Sequence, residues 1–165
     1  WSPVAPAAGG KLVQVVSSAG ESYETAKATG TTTAVQDDTI MQNSEGSEFM
    51  TLAITPTSSS NKLWIHIVAM ITSASASQGV SSGLFQDSTA NALAANNIYT
   101  PNPNSNEAGV VVYSHYMTAG TTSATTFKFR AGADSGNTYM NVSSGANRHS
   151  GAIPKSWMQI WEIAV

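Results

Sequence analysis

Three histidines, His66, His115 and His149, are the side chains of this 165-residue chain best suited to metal ligation or proton exchange. No two of them stand at the i, i+4 spacing of a helical metal pair or the i, i+2 spacing of a strand pair. His66 and His115 fall in strand-like runs and are expected to approach each other, or their own copies around a threefold axis. A ring of His66 on such an axis would bind a metal or sense pH. The plainer expectation is a half-buried, hydrogen-bonded histidine at a subunit interface. Asn102, Asn104, Asn106 and Glu107 offer side-chain oxygens at near-alternate positions. Calcium loops use that spacing, and Asp37, Asp38, Glu45 or Glu48 would supply a carboxylate. The usual aspartates and central glycine are missing, so a structured polar loop is expected instead. No Gly-x-Ser-x-Gly elbow is present. Glu21, Glu24, Asp87, Glu107 and Asp134 fall in expected loops, with no aromatic-lined groove around them to make a glycosidase pair. No catalytic residue, cofactor or metal site is assigned.

Aromatic side chains carry the remaining binding chemistry. Tyr99, Tyr113, Tyr116 and Tyr139 have polar-tipped rings that would stack on sugars if exposed. Tyr99 with Asn102, Asn104 and Asn106 forms the candidate ligand loop. Trp64, Trp157 and Trp161 lie in strongly apolar runs and are expected to anchor the core or a subunit interface.

The element that must position most of these residues is the run at 61–73, NKLWIHIVAMITS. Leu63, Ile65, Ile67, Ala69 and Ile71 share one face at period two, as on a strand. The other face carries Trp64, His66, Val68 and Met70, and it is also largely apolar. The closing run at 156–165, SWMQIWEIAV, repeats the pattern. Met158, Ile160 and Ala164 share a face with Glu162, and Trp157, Trp161, Ile163 and Val165 take the other. An exposed antiparallel face would be polar, so both runs call for a second covering layer. In a single domain of this length a symmetric copy is its simplest supplier. The expected interface is Trp64, His66, Val68, Met70, Trp157, Trp161 and Ile163.

Further strands are expected at 11–17, 48–55, 79–86, 109–118, 124–131 and 138–143, with a weak one at 35–41. Phe127 and Phe129 point inward, against Lys128 and Arg130. Pro56 and the turn at 57–61 suggest a hairpin between 48–55 and the organising strand. Residues 134–137, DSGN, suggest another between 124–131 and 138–143. Residues 87–97 read as loop and 99–106 as irregular, with two prolines. About eight or nine strands without a convincing helix predict an all-β antiparallel sandwich of jelly-roll type over residues 11–165. Residues 1–10, WSPVAPAAGG, read as an arm or linker.

Composition narrows the partners. Hydrophobic residues make up 41% of the chain and charged residues only 10%, against roughly 25% in average domains. Net charge −3 and scattered basic residues argue against nucleic acid. No run approaches the ~20 apolar residues of a membrane helix. Zero cysteines exclude disulfides and thiolate chemistry, and leave oligomerisation as a source of stability.

Three segments in order, SSSNKLWIHIVAMI, SATTFKFRAGADSGNTYMNV and WMQIWEIAV, resemble a β-sandwich domain of tailed-bacteriophage virion proteins, the tail-fibre C-terminal or head-fibre type. The matching residues are 59–62 in the turn, Phe127 and Lys128, 138–141, and Glu162 in the closing strand. Phe127 stands where that family would carry Tyr. The resemblance implies a jelly-roll-like, usually trimeric head in the virion. Its expected partners are other virion proteins through the N-terminal arm, and a host surface glycan or capsid neighbour through loops within 74–107 and 144–154. Two readings stand beside this one: a capsid decoration protein without a receptor role, and a secreted carbohydrate-binding module.

Overall fold

The computed structural model describes residues 10–18, 28–75, 78–100, 108–142 and 155–165. They form ten strands: β1 (Leu12–Ser17), β2 (Ala28–Gly30), β3 (Ser47–Ile54), β4 (Lys62–Ser73), β5 (Gln78–Gln86), β6 (Ala94–Thr100), β7 (Gly109–Thr118), β8 (Thr125–Ala133), β9 (Thr138–Met140) and β10 (Trp157–Ile163). Two antiparallel sheets pack face to face as a β-sandwich. One runs β1-β10-β4-β9-β2, with β7 on the free edge of β4; the other runs β3-β8-β5-β6. β4 is the spine of the first sheet. β10 and then β9 follow one of its edges, and β7 follows the other over ten residue pairs.

Period-two alternation explains the core. Leu63, Ile65, Ile67, Ala69 and Ile71 are fully buried, with Met158, Ile160 and Val111 beside them. They meet Met50, Ile54, Val80, Leu84, Phe127 and Phe129 from the other sheet in a single cluster. Burying residues of this size contributes about 1.5–3 kcal/mol each.

The second sheet is covered on part of its outside, over β5 and β8, by the chain itself. Residues 31–45 lie across β5 and β8, where Ala34 and Met41 bury Phe85. Arg130 pins this flap by donating from Nε to Glu45 O (3.1 Å) and from Nη2 to Gly46 O (2.6 Å). Asp134 accepts from Gln36 N at 2.8 Å. Gly132 is needed under the flap, because a Cβ there would stand 2.7 Å from Ala34 N and 2.8 Å from Thr32 O.

Several expectations change. Residues 35–41 are not a strand. Asp37 Oδ1 accepts from Thr39 N (2.8 Å) and Oγ1 (2.6 Å), closing a local turn that competes with extended pairing. Neither expected hairpin forms: β3 pairs β8 while β4 pairs β10 and β7, and β8 pairs β3 and β5 while β9 pairs β4 and β2. Both turns carry the chain from one sheet to the other. Alternation says which face is buried, and an inward face looks alike from either layer. Residues 94–100, expected as loop and irregular chain, form edge strand β6, held by main-chain pairing to β5 despite its weak apolar pattern. Loops within 74–107 are correspondingly shorter than expected. β2 was also not anticipated.

Glu162 lies wholly inside, on the face it shares with Met158 and Ile160. Its Oε1 accepts from Asn61 Nδ2 (2.6 Å), Thr57 N (2.8 Å) and Thr57 Oγ1 (2.8 Å), and its Oε2 from Gln14 Nε2 (2.6 Å). One carboxylate thus joins β1, β10 and the turn that launches β4.

Candidate interaction face

Register builds the outer face of the first sheet, because residues paired across antiparallel strands point to the same side. One row reads Val15, Trp161, Trp64, Tyr116; the next Ser17, Gln159, His66, Ser114; the third Trp157, Val68, Val112; the fourth Met70 and Val110. The polar second row therefore runs between two apolar rows. Trp64 is 38% exposed, Val112 51%, Tyr116 57% and Val110 60%. No described residue covers this face, in contrast to the flap over the other sheet.

Between β10 and β4 this face holds an open cleft of about 210 Å³ lined by Trp64, His66, Trp157, Gln159 and Trp161. Trp64 meets Trp161 edge-on, centroids 5.5 Å apart at 64°, and meets His66 at 6.1 Å. His66 lies 5.2 Å from Trp157. Trp161 Nε1 donates to Gln159 Oε1 at 3.3 Å. His66 Nδ1 is buried with no hydrogen-bond partner. Lys62 lies at the rim and donates to Thr118 Oγ1 at 2.6 Å. This is an uncharged, aromatic, concave surface suited to binding.

The structure brings Trp64, His66, Val68, Met70, Trp157, Trp161 and Ile163 onto one face. It does not bring His66 and His115 together. His66 pairs with Ser114, so His115 falls one residue out of step, opposite core-facing Ile65, and points inward. Burial lowers the His115 pKa. Tyr113 also points inward, and burial, partly offset by Ser82, raises its phenol. Tyr139 is buried, while Tyr99 and Tyr116 are exposed. Tyr99 stands on the outer side of β6. Its expected companions Asn102, Asn104 and Asn106, with Glu107 and His149, lie outside the described residues, as does the arm before Gly10. Among the described residues no three His, Asp or Glu side chains gather as a metal site. Gln159, Val15, Val110, Val112 and Tyr116 complete the face and were not anticipated as part of it. The signal for β7 was its all-apolar start, Val110-Val111-Val112.

No family model matches the chain, and no curated protein matches it by sequence. Among solved structures it is similar to dimeric latent PorU from Porphyromonas gingivalis, with 8% identity and TM-score 0.44 over 96% of this chain and 14% of that one. It is also similar to infectious bursal disease virus, Gt strain, with 8% identity and TM-score 0.44 over 92% of this chain and 38% of that one. The VP2 subviral particle of the same virus gives 8% identity and TM-score 0.40 over the same shares. The chain thus spans well under half of each of these proteins. Likeness at this level carries no argument about what the chain does.

Proposed function

We propose that this chain is a non-enzymatic structural protein of a tailed-phage virion, a trimeric fibre or spike head that meets a host surface or decorates the particle. The observation that carries the reading is the open outer face of the first sheet. Four strands present tryptophans, valines and a tyrosine to solvent, with Lys62 at the rim. Contiguous apolar faces of this kind mark interaction sites. Aliphatic Val15, Val110 and Val112, exposed beside the tryptophans, favour a protein partner over a sugar. A second copy is the partner whose face is equally uncharged. The tailed-phage assignment rests on the sequence resemblance, and residues 1–10 would tether the head to other virion proteins. Light scattering of the purified chain tests this reading: a trimer supports it, and a monomer at tens of micromolar overturns it.

The tryptophan cleft favours a second reading, a carbohydrate-binding module working as a monomer. Glycan-array binding lost in Trp157→Ala, by a protein of monomer mass, would establish that reading in place of the first.

A further inference from the structure

We infer that the hollow between the turn at 36–39 and the outer side of β5 and β6 binds a calcium ion, held by the Asp37 and Glu45 carboxylates with the Ser81 hydroxyl and the Asn97 amide oxygen. Register places the two sheet residues. Val80 and Leu84 face the core, so Ser81, one residue out of step, points outward. Its partner on β6, Asn97, points the same way. The flap passes over both. It is anchored on one side by Gln36 Nε2, which donates to Ile98 O at 3.2 Å, and on the other by Ala92 N, which donates to Met41 O at 2.9 Å. Between these anchors lies about 60 Å³ of space, lined in part by Asp37, Glu45, Ser81 and Asn97. A water needs about 10–15 Å³ of such space, and a cavity of about 150 Å³ accepts a benzene ring. The hollow therefore suits an ion with a few waters and is too small to enclose a sugar ring.

Ser81 marks the hollow as a site. The residue is only 5% exposed, and among the described residues its Oγ has no hydrogen-bond partner. It is not sealed off, however. The enclosed side-chain atoms without a partner are His66 Nδ1, Tyr113 Oη and Asn141 Nδ2, whereas Ser81 lines the open hollow. Leaving a buried hydroxyl unpaired is costly, and an entering ion supplies its partner. Each carboxylate also keeps one oxygen in reserve. Asp37 Oδ1 is taken by Thr39, and Glu45 Oε2 accepts from Gln42 N at 2.6 Å. The other oxygen of each has no partner among the described residues. Neither carboxylate is paired with a basic side chain there: Arg130 reaches the main-chain oxygens of Glu45 and Gly46, and its ion pair is with Glu48 at 3.7 Å. An all-oxygen set without His or Cys suits a hard cation. Calcium accepts irregular sets of charged and neutral oxygens, whereas magnesium demands a near-ideal octahedron. Two carboxylates make a weak site, of about 10⁻⁴–10⁻³ M. The ion would fasten the flap to β5 and β6, as Arg130 fastens it to β8.

Hydrogen exchange of the full chain, freed of metal with EDTA and then titrated with calcium chloride, tests the site. Exchange at 31–45 is expected to slow as calcium rises, half-maximally at or below about 1 mM, while β4 and β10 stay as they were. Asp37→Asn and Glu45→Gln keep an amide oxygen for the bonds from Thr39 and Gln42 but lose the charge. Each should raise the calcium midpoint at least about tenfold, and Ser81→Ala about threefold. Asp38→Asn, whose side chain does not line the hollow, should leave the midpoint in place. Wild-type exchange that ignores calcium up to about 10 mM overturns the inference. So does a midpoint that neither Asp37→Asn nor Glu45→Gln moves, which would put the ion elsewhere. The hollow lies on the second sheet, so a monomer that binds calcium overturns the proposed trimer and leaves this site standing.

Discussion

Asn61 Nδ2 donates to Glu162 Oε1 at 2.6 Å, a bond that spans 101 residues of sequence and ties the turn before β4 to strand β10. These two residues come from distant stretches of the sequence, the turn at 57–61 and the closing strand. In space they are one unit. The carboxylate is held by neutral donors from Thr57, Asn61 and Gln14. Hydrogen bonds to a charged group contribute about 1.5–3 kcal/mol each. Asn61→Ala is therefore expected to cost about 2 kcal/mol. Urea unfolding should show a lower midpoint at unchanged m-value. An unchanged midpoint would mean that the turn is held without this bond.

The same carboxylate sets an acid limit. Burial pushes the Glu162 pKa up, but the donors from Gln14, Asn61 and Thr57 outweigh it and hold the value at about 2, against 4.5 for a free glutamate. A depressed folded-state pKa stabilises the fold fully above the unfolded value. That contribution falls away as pH drops from about 4.5 through about 2. Wild type should lose stability across this window, and Glu162→Gln, already weaker at pH 7, should lose less. His115 adds a second, smaller acid effect. Burial lowers its pKa, so its neutral form favours the fold above its usual 6.5 and the advantage shrinks below that. Proton-monitored titration of the ring reads this directly, and a His115 midpoint above 6.5 would contradict it.

How much of this was legible in the sequence follows from what alternation encodes. Leu63 to Ile71 and Phe127/Phe129 announced their inward faces because a period of two survives any choice of partner strand. The apolar second face at Trp64, Val68 and Met70 was visible for the same reason. Partner strands were not visible. The 57–61 turn looks like a hairpin from Pro56 and its serines, yet it crosses between sheets, held by the Thr57 and Asn61 bonds to Glu162 and by main-chain bonds from Ala119 N to Asn61 O and Gly120 N to Ser59 O. The cleft was hidden because it needs the register Gln159–His66–Ser114, which no local pattern sets. His115 shows the cost of one residue's shift: it lies one position from His66's partner and ends on the opposite face.

Gly132 offers a test of the flap over the second sheet. A Cβ at this position meets main-chain atoms, Ala34 N and Thr32 O, which cannot rotate away as a side-chain tip would. Gly132→Ala is expected to cost about 1–3 kcal/mol, in the range of overpacked cores. Residues 31–45 should become more open to hydrogen exchange, with β4 and β10 protected as before. Uniform loss of protection across both sheets would instead mean that the flap is part of one cooperative core.

Val112→Lys separates folding from association. Val112 is 51% exposed on the outer side of β7, so within one copy its side chain has little packing to lose. Such surface changes usually fall within about 0.5 kcal/mol. An uncharged interface closing over the same position would bury the lysine ammonium without a partner, which is strongly unfavourable. The expected outcome is a folded monomer with wild-type circular dichroism where the unsubstituted chain is a trimer. Lys128→Ala serves as the control. It lies on the outer side of β8, where it pairs with Glu48 at 3.3 Å, and should leave the mass unchanged. If Lys128→Ala dissociates the assembly and Val112→Lys does not, the interface lies on the second sheet and the open aromatic face needs another occupant.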